Sequence, residues 1–98
     1  MYKIMPTKRA KKDSVKIARS KLKPKVDEII ATVKENPYEP TQEFEKLTRD
    51  FIGAYSRRIN KQHRFIYTVE TNSEDLRNDE GELYKGIVKV ISMWTHYE

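Results

Sequence analysis

The 98-residue chain is 37% hydrophobic and has no cysteine, which fits one small domain over 1–98 and excludes disulfides, thiol catalysis and thiolate metal sites. Lys and Arg outnumber Asp and Glu by 20 to 15, giving a net charge of +5, and such an excess favours a polyanionic partner because neutralised phosphates release counterions. No apolar run reaches the roughly 18 to 20 residues of a membrane span, and the basic start Met1–Ala10 is not followed by the apolar stretch of a secretory signal, so a cytoplasmic setting away from membranes is expected.

Met1 to Met5 reads as a short first strand, with Tyr2 and Ile4 on one face. Pro6 ends it, and Thr7 is placed as the N-cap of a helix running to about Ser20. Ala10, Ser14, Ile17 and Ala18 give that helix a weak apolar stripe, and its other faces carry Lys8, Arg9, Lys11, Lys12, Lys16 and Arg19. Pro24 suits the start of a second helix, where its missing N–H costs nothing. Leu22, Val26, Ile29, Ile30 and Val33 then recur at helical spacing. Asn36-Pro37 stops it, since the residue before proline avoids helical torsions.

After a turn-rich connector the period changes to two. Tyr55, Arg57 and Ile59 alternate with Ser56, Arg58 and Asn60, and then Phe65, Tyr67 and Val69 alternate with Arg64, Ile66 and Thr68. Lys61-Gln62 is expected as a tight hairpin between these strands. Asn72 to Gly86 is polar and mostly acidic, a long hairpin loop. Ile87 to Trp94 is apolar on both faces, so it belongs inside the sheet. The whole describes an α+β fold: an antiparallel sheet of about four strands, two N-terminal helices on one face, and the other face open.

If Tyr55 and Ile59 face the helices, alternation sends Ser56 and Arg58 to the open face, and Arg64 joins them from the next strand. A lone strand arginine is ordinarily a solvated side chain. An adjacent pair presents two planar forks of donors and suits a phosphate. Arg57 is counted with the RNA-binding residues, although alternation aims it coreward, towards a sheet edge or a helix end. Glu45 lies just before these strands, where a carboxylate could accept the proton of a ribose 2′-hydroxyl. His96 can donate one near neutrality, while His63, at a hairpin, is expected exposed or bound up in the turn. Trp94, Tyr97 and Tyr55 could stack on bases, though strand aromatics are more often core. The two histidines stand far apart with no carboxylate pattern beside them, so no metal site and no cofactor are expected.

The block Glu45-Lys46-Leu47 … Gly53-Ala54-Tyr55-Ser56-Arg57-Arg58-Ile59-Asn60 … His63-Arg64-Phe65-Ile66-Tyr67, closing with Trp94-Thr95-His96-Tyr97-Glu98, resembles the Txe/YoeB family of the RelE toxin–antitoxin superfamily over nearly the whole chain. The resemblance implies a RelE-like (microbial RNase-like) fold and a ribosome-dependent endoribonuclease that cuts mRNA in the A site and stops translation. It further implies Glu45 as general base, Arg64 as the phosphate-stabilising arginine, Arg58 as a second substrate arginine, His96 as general acid and Tyr97 as a substrate-holding residue. Lys8, Lys11 and Lys12 would add RNA contacts. The implied partners are the ribosome, mRNA and a cognate antitoxin of the YefM/Axe kind, with operator DNA reached only through the antitoxin complex. Two features depart from the family pattern: the acidic loop Asn72 to Gly86 is longer, and Glu98 follows the terminal tyrosine. The competing readings are a non-catalytic basic nucleic-acid-binding module and a non-nuclease toxin of the same superfamily.

Overall fold

The computed structural model describes residues 1–48 and 51–94. Seven elements follow one another: β1 (Lys3–Pro6), α1 (Lys8–Ala18), α2 (Lys23–Glu35), β2 (Glu45–Lys46), β3 (Ala54–Arg58), β4 (Arg64–Glu70) and β5 (Ile87–Ser92). The strands form one sheet in the order β1-β5-β4-β3-β2. The sheet expected from the sequence is there, with one more strand, the two-residue β2. It is also mixed, because β1 runs parallel to β5, with Ile4 beside Val88.

Local chemistry accounts for the helices. The Thr7 side chain accepts from the Ala10 N–H at 3.1 Å, the expected N-cap, and its hydroxyl donates to the Ile91 carbonyl at 2.9 Å, tying α1 to β5. Pro24 sits in the first turn of α2, and the helix ends at Glu35 ahead of Asn36-Pro37. The buried stripe of α1 is Ala10, Asp13 and Ile17, while Ser14 and Ala18 of the expected stripe are exposed.

Both helices cover one sheet face. Ala10, Ile17, Val26, Ile29 and Val33 meet Phe65, Tyr67, Val88 and Val90 in the core, with Tyr55 and Ile59 on the same side. Pairing of Tyr55 with Tyr67 and of Arg57 with Phe65 fixes which residues point there. Between Ile66 and Tyr67 the ladder to β5 shifts by one residue, so the end of β5 is re-aimed. The β3–β4 connection is wider than a two-residue turn. Ile59 and Asn60 both donate to the His63 carbonyl, and the Asn60 side chain accepts from the backbone of Gln62 and His63.

The acidic loop is built on its own hydrogen bonds. The Asn72 amide donates to Leu76 and Tyr84 carbonyls, and Arg77 pairs with Leu83. Its far side rests against β1, with Lys85 N–H on the Met1 carbonyl at 2.9 Å. Gly86 admits no side chain, because a Cβ there would lie 2.9 Å from the Glu70 carbonyl and against the Tyr2 ring.

Candidate active site

Registers bring three of the expected residues together on the open face. Glu45 pairs with Ser56, and Arg58 stands opposite Arg64. The Arg64 guanidinium lies 3.7 Å from the Glu45 carboxylate, and its Nε donates to the Ser56 hydroxyl. Two cations directly opposite across strands repel. Here two carboxylates offset that repulsion, Glu45 at Arg64 and Glu43 at Arg58, the latter at 3.0 Å.

Glu43 was not legible as a site residue. It lies in the connector, where Gln42 and Glu43 both take left-handed torsions, with φ of 55° and 52°. Such torsions cost a side-chain-bearing residue about 1 kcal/mol or more and persist only where the surroundings hold them. The surroundings do. The Gln42 carbonyl accepts from Arg58 N–H, its side-chain oxygen accepts from Arg57, and its amide donates to Glu28 and Thr32 of α2. Lys25 and Gln42, both hydrogen-bonded to Glu28, hold that carboxyl below the usual range. The turn so fixed offers the Glu43 carbonyl to Arg64 at 3.0 Å and the Glu43 carboxylate to Arg58.

Accessibility differs within the cluster. Arg64 is the more enclosed, with 21% of its side chain exposed, against 41% for Arg58 and 59% for both Glu43 and Glu45. Ion pairs this exposed are worth only about 0–1 kcal/mol, so an incoming anion would displace them at little cost. Arg64 is held by Ser56 and the Glu43 backbone, Arg58 is held more loosely, and Glu45 is open to solvent.

Other expectations fare differently. Arg57 is fully buried and is corrected from an RNA contact to an internal residue. Its donors go to the Tyr67 hydroxyl, the Thr41 carbonyl, the Gln42 side chain and the Pro37 carbonyl, and its plane lies over the Phe44 ring. Tyr55 packs among Tyr38, Phe44 and Tyr67 on the covered face, where it is no platform for bases. His63 is buried rather than exposed, and its ring stacks on Trp94 with centroids 4.1 Å apart. Lys8, Lys11 and Lys12 are exposed on α1, whose buried side packs on the opposite sheet face, so they extend a basic surface without joining the arginine pair. His96 and Tyr97 lie outside the described residues.

Residues 13–97 match the model of the YoeB-like toxins of bacterial type II toxin–antitoxin systems. The chain belongs to that family. Toxin YoeB of Escherichia coli O6:H1 is 37% identical over 49 residues, a stretch covering 50% of this chain and 58% of that toxin. The match thus spans little more than half the length of that curated relative. A YoeB/ParE toxin from Agrobacterium tumefaciens superposes with a TM-score of 0.78 at 26% identity, covering 97% of this chain and 99% of the other. The toxin of a heterotetrameric YoeB–YefM complex from Staphylococcus aureus does so with a TM-score of 0.72 at 27% identity, over 99% of both chains. YafQ from E. coli shares the fold at 14% identity and a TM-score of 0.67. No helix of the described residues is long and apolar enough to cross a membrane.

Proposed function

We propose that this YoeB-like chain is a ribosome-dependent, metal-independent endoribonuclease that cuts mRNA in the A site and so inhibits translation. The observation that carries the reading is the Glu45 carboxylate 3.7 Å from the Arg64 guanidinium, on an open sheet face beside Arg58. RNA cleavage by the 2′-hydroxyl needs a base, cations for the phosphorane and an acid for the leaving oxygen.

Glu45 takes the 2′-hydroxyl proton as that oxygen attacks phosphorus. Arg64 and Arg58 meet the two non-bridging oxygens, where negative charge builds up, with bidentate donors. The bond from phosphorus to the 5′-oxygen breaks, and His96 supplies the proton that oxygen needs. The products are a 2′,3′-cyclic phosphate and a 5′-hydroxyl. Tyr97 steadies the substrate, and Lys8, Lys11 and Lys12 engage phosphates beyond the cut. A cognate antitoxin of the YefM/Axe kind restrains the toxin, supported by the S. aureus relative being described in complex with YefM. Operator DNA is reached only through that complex.

The test is primer extension on a defined mRNA in a reconstituted translation system, with and without ribosomes. Breaks at A-site codons that require ribosomes are expected. Arrested translation with intact mRNA would instead favour a non-catalytic binder, for which the exposed lysines of α1 are the natural surface.

A further inference from the structure

Gln42 and Glu43 are the central residues of a turn closed by the Phe44 N–H on the Thr41 carbonyl at 3.0 Å, and both have positive φ. That is the pattern of a mirror-image type I turn, which glycine, asparagine and aspartate ordinarily fill because larger side chains crowd the backbone there. Strain of this kind is retained where the side chains are needed for something else. For Gln42 the need is internal, since its side chain joins Arg57 to Glu28 and Thr32 of α2. Glu43 is different. Its carboxylate is 59% exposed and pairs with Arg58 at 3.0 Å, and an exposed pair adds little to stability.

The backbone of the same residue serves the second arginine. The Glu43 carbonyl accepts from Nη2 of Arg64 at 3.0 Å, while the Ser56 hydroxyl accepts from Nε of that guanidinium. Nε and Nη2 form one edge of the planar group, so two contacts from separate segments fix the tilt of its plane. One residue therefore touches both arginines of the open face, Arg64 through its carbonyl and Arg58 through its carboxylate. Without such contacts, two cations directly opposite each other on neighbouring strands repel and spread over many rotamers. A site of this kind works only when its groups are held within about 10–20° of the productive geometry.

We infer that Glu43 is a positioning residue, its carbonyl setting the plane of Arg64 and its carboxylate holding Arg58, so that both forks are aligned before a phosphate arrives. The inference deepens the nuclease reading above and rests on it. The left-handed turn is then what brings one residue's carbonyl and carboxylate to two different arginines.

Single-turnover cleavage on programmed ribosomes and thermal unfolding, measured on the same variants, test this. Glu43→Gly suits the turn, keeps the carbonyl in place and removes the carboxylate. Its Tm should rise by up to about 4 °C as the strain is relieved. Its rate at saturating ribosomes should nevertheless fall about fivefold, the kinetic equivalent of one exposed charged contact. Half-saturation should not rise, because a negative charge has been taken out of a phosphate site. Glu43→Gln keeps an acceptor for Arg58 and should recover most of the lost rate. In an Arg58→Ala background, Glu43→Gly should slow cleavage no further. Glu43→Val resists positive φ, so the turn opens and the carbonyl moves off Arg64. That variant should lose about tenfold to a hundredfold in rate, more than Glu43→Gly.

A merely structural role would move Tm and rate in the same direction. Glu43→Gly that cleaves at the wild-type rate, that loses Tm together with rate, or that slows as much without Arg58 as with it overturns the positioning role alone. A wild-type protein that leaves mRNA intact overturns the nuclease reading and this inference with it.

Discussion

Arg57 and Arg58 are consecutive residues of β3, yet one is sealed beneath the connector 37–44 and the other is half-exposed. Pleating alone sends them to opposite faces. On the covered face the Arg57 guanidinium is surrounded by neutral oxygens and an aromatic ring, and its donors are used up by the protein's own chain. On the open face Arg58 has one exposed carboxylate, a partner that a ligand can replace. The same side chain therefore serves stability on one side of the sheet and, in the proposed reaction, substrate binding on the other. Mutations on the two faces should separate into stability effects and rate effects.

The largest effect is expected from the covered side. Arg57→Met fills the volume but removes the donor that Arg57 gives to the Tyr67 hydroxyl, the Gln42 side chain and the Thr41 and Pro37 carbonyls, although Thr41 keeps the Phe44 N–H and Pro37 keeps the Tyr67 hydroxyl. Four lost hydrogen bonds at about 1 kcal/mol each put the loss in urea unfolding at about 3–5 kcal/mol. Arg58→Ala should cost less than about 1 kcal/mol by the same measurement, since it loses only an exposed pair. Equal losses at the two positions would abolish the distinction between the faces.

Next comes Arg64→Lys on the open side. It keeps the charge and loses the fork, so single-turnover cleavage on ribosomes should fall about 10²- to 10³-fold. Stability should change by only about 1 kcal/mol, the worth of the bonds to Ser56 and the Glu43 carbonyl. An unchanged rate would place the phosphate contact elsewhere.

What the sequence could reveal follows the same division. Period-two alternation was sufficient to put Arg58 and Arg64 outward, because it depends only on the pleat and on one apolar face. It also aimed Arg57 coreward. The partners that make Arg57 internal lie in the connector 37–42, whose course carries no periodic signal. The same holds for Glu43: two consecutive left-handed residues without glycine are not anticipated from composition. Asp13 did have a signal. It is three residues after Ala10 and four before Ile17, and so lies on the buried stripe of a helix otherwise rich in lysine and arginine. The parallel pairing of β1 with β5 depends on contacts far apart in sequence, which alternation cannot report.

A smaller effect sharpens the account of the covered face. Tyr67 donates to the Pro37 carbonyl and accepts from Arg57, and burial pushes its phenol above its ordinary value against the opposing pull of that arginine. A pKa raised by folding means that the folded state keeps a proton the unfolded chain releases. The contribution is complete below about pH 10, where the unfolded phenol is still neutral, and is lost as pH rises through the raised folded value. Tyr38, raised chiefly by burial and also by neighbouring Tyr55, acts in the same direction. Tyr67→Phe should lose about 1 kcal/mol at neutral pH from its hydrogen bonds and should show a shallower fall in stability above about pH 10. A parallel alkaline decline in both proteins would show that Tyr67 does not stay neutral in the fold.

The smallest effect should come from the acidic loop, and the reason is distance along one strand. Arg64 opens β4 and Glu70 closes it, so at about 3.3 Å per residue the loop leaves the sheet roughly 20 Å from the arginine pair. Its far side is occupied with β1, through Lys85 on the Met1 carbonyl and Lys3 over the Tyr84 ring. Within the loop, Tyr84 N–H donates to the Leu76 carbonyl at 3.1 Å, a bond that can also close a two-residue turn. Replacing 77–83 by Asn-Gly therefore removes the tip while keeping that bond and both Asn72 contacts. Cleavage by this variant should stay within about twofold of wild type, the range of surface changes remote from a site. A folded variant slowed more than tenfold would mean that the substrate reaches past the arginine pair to the opposite end of the sheet.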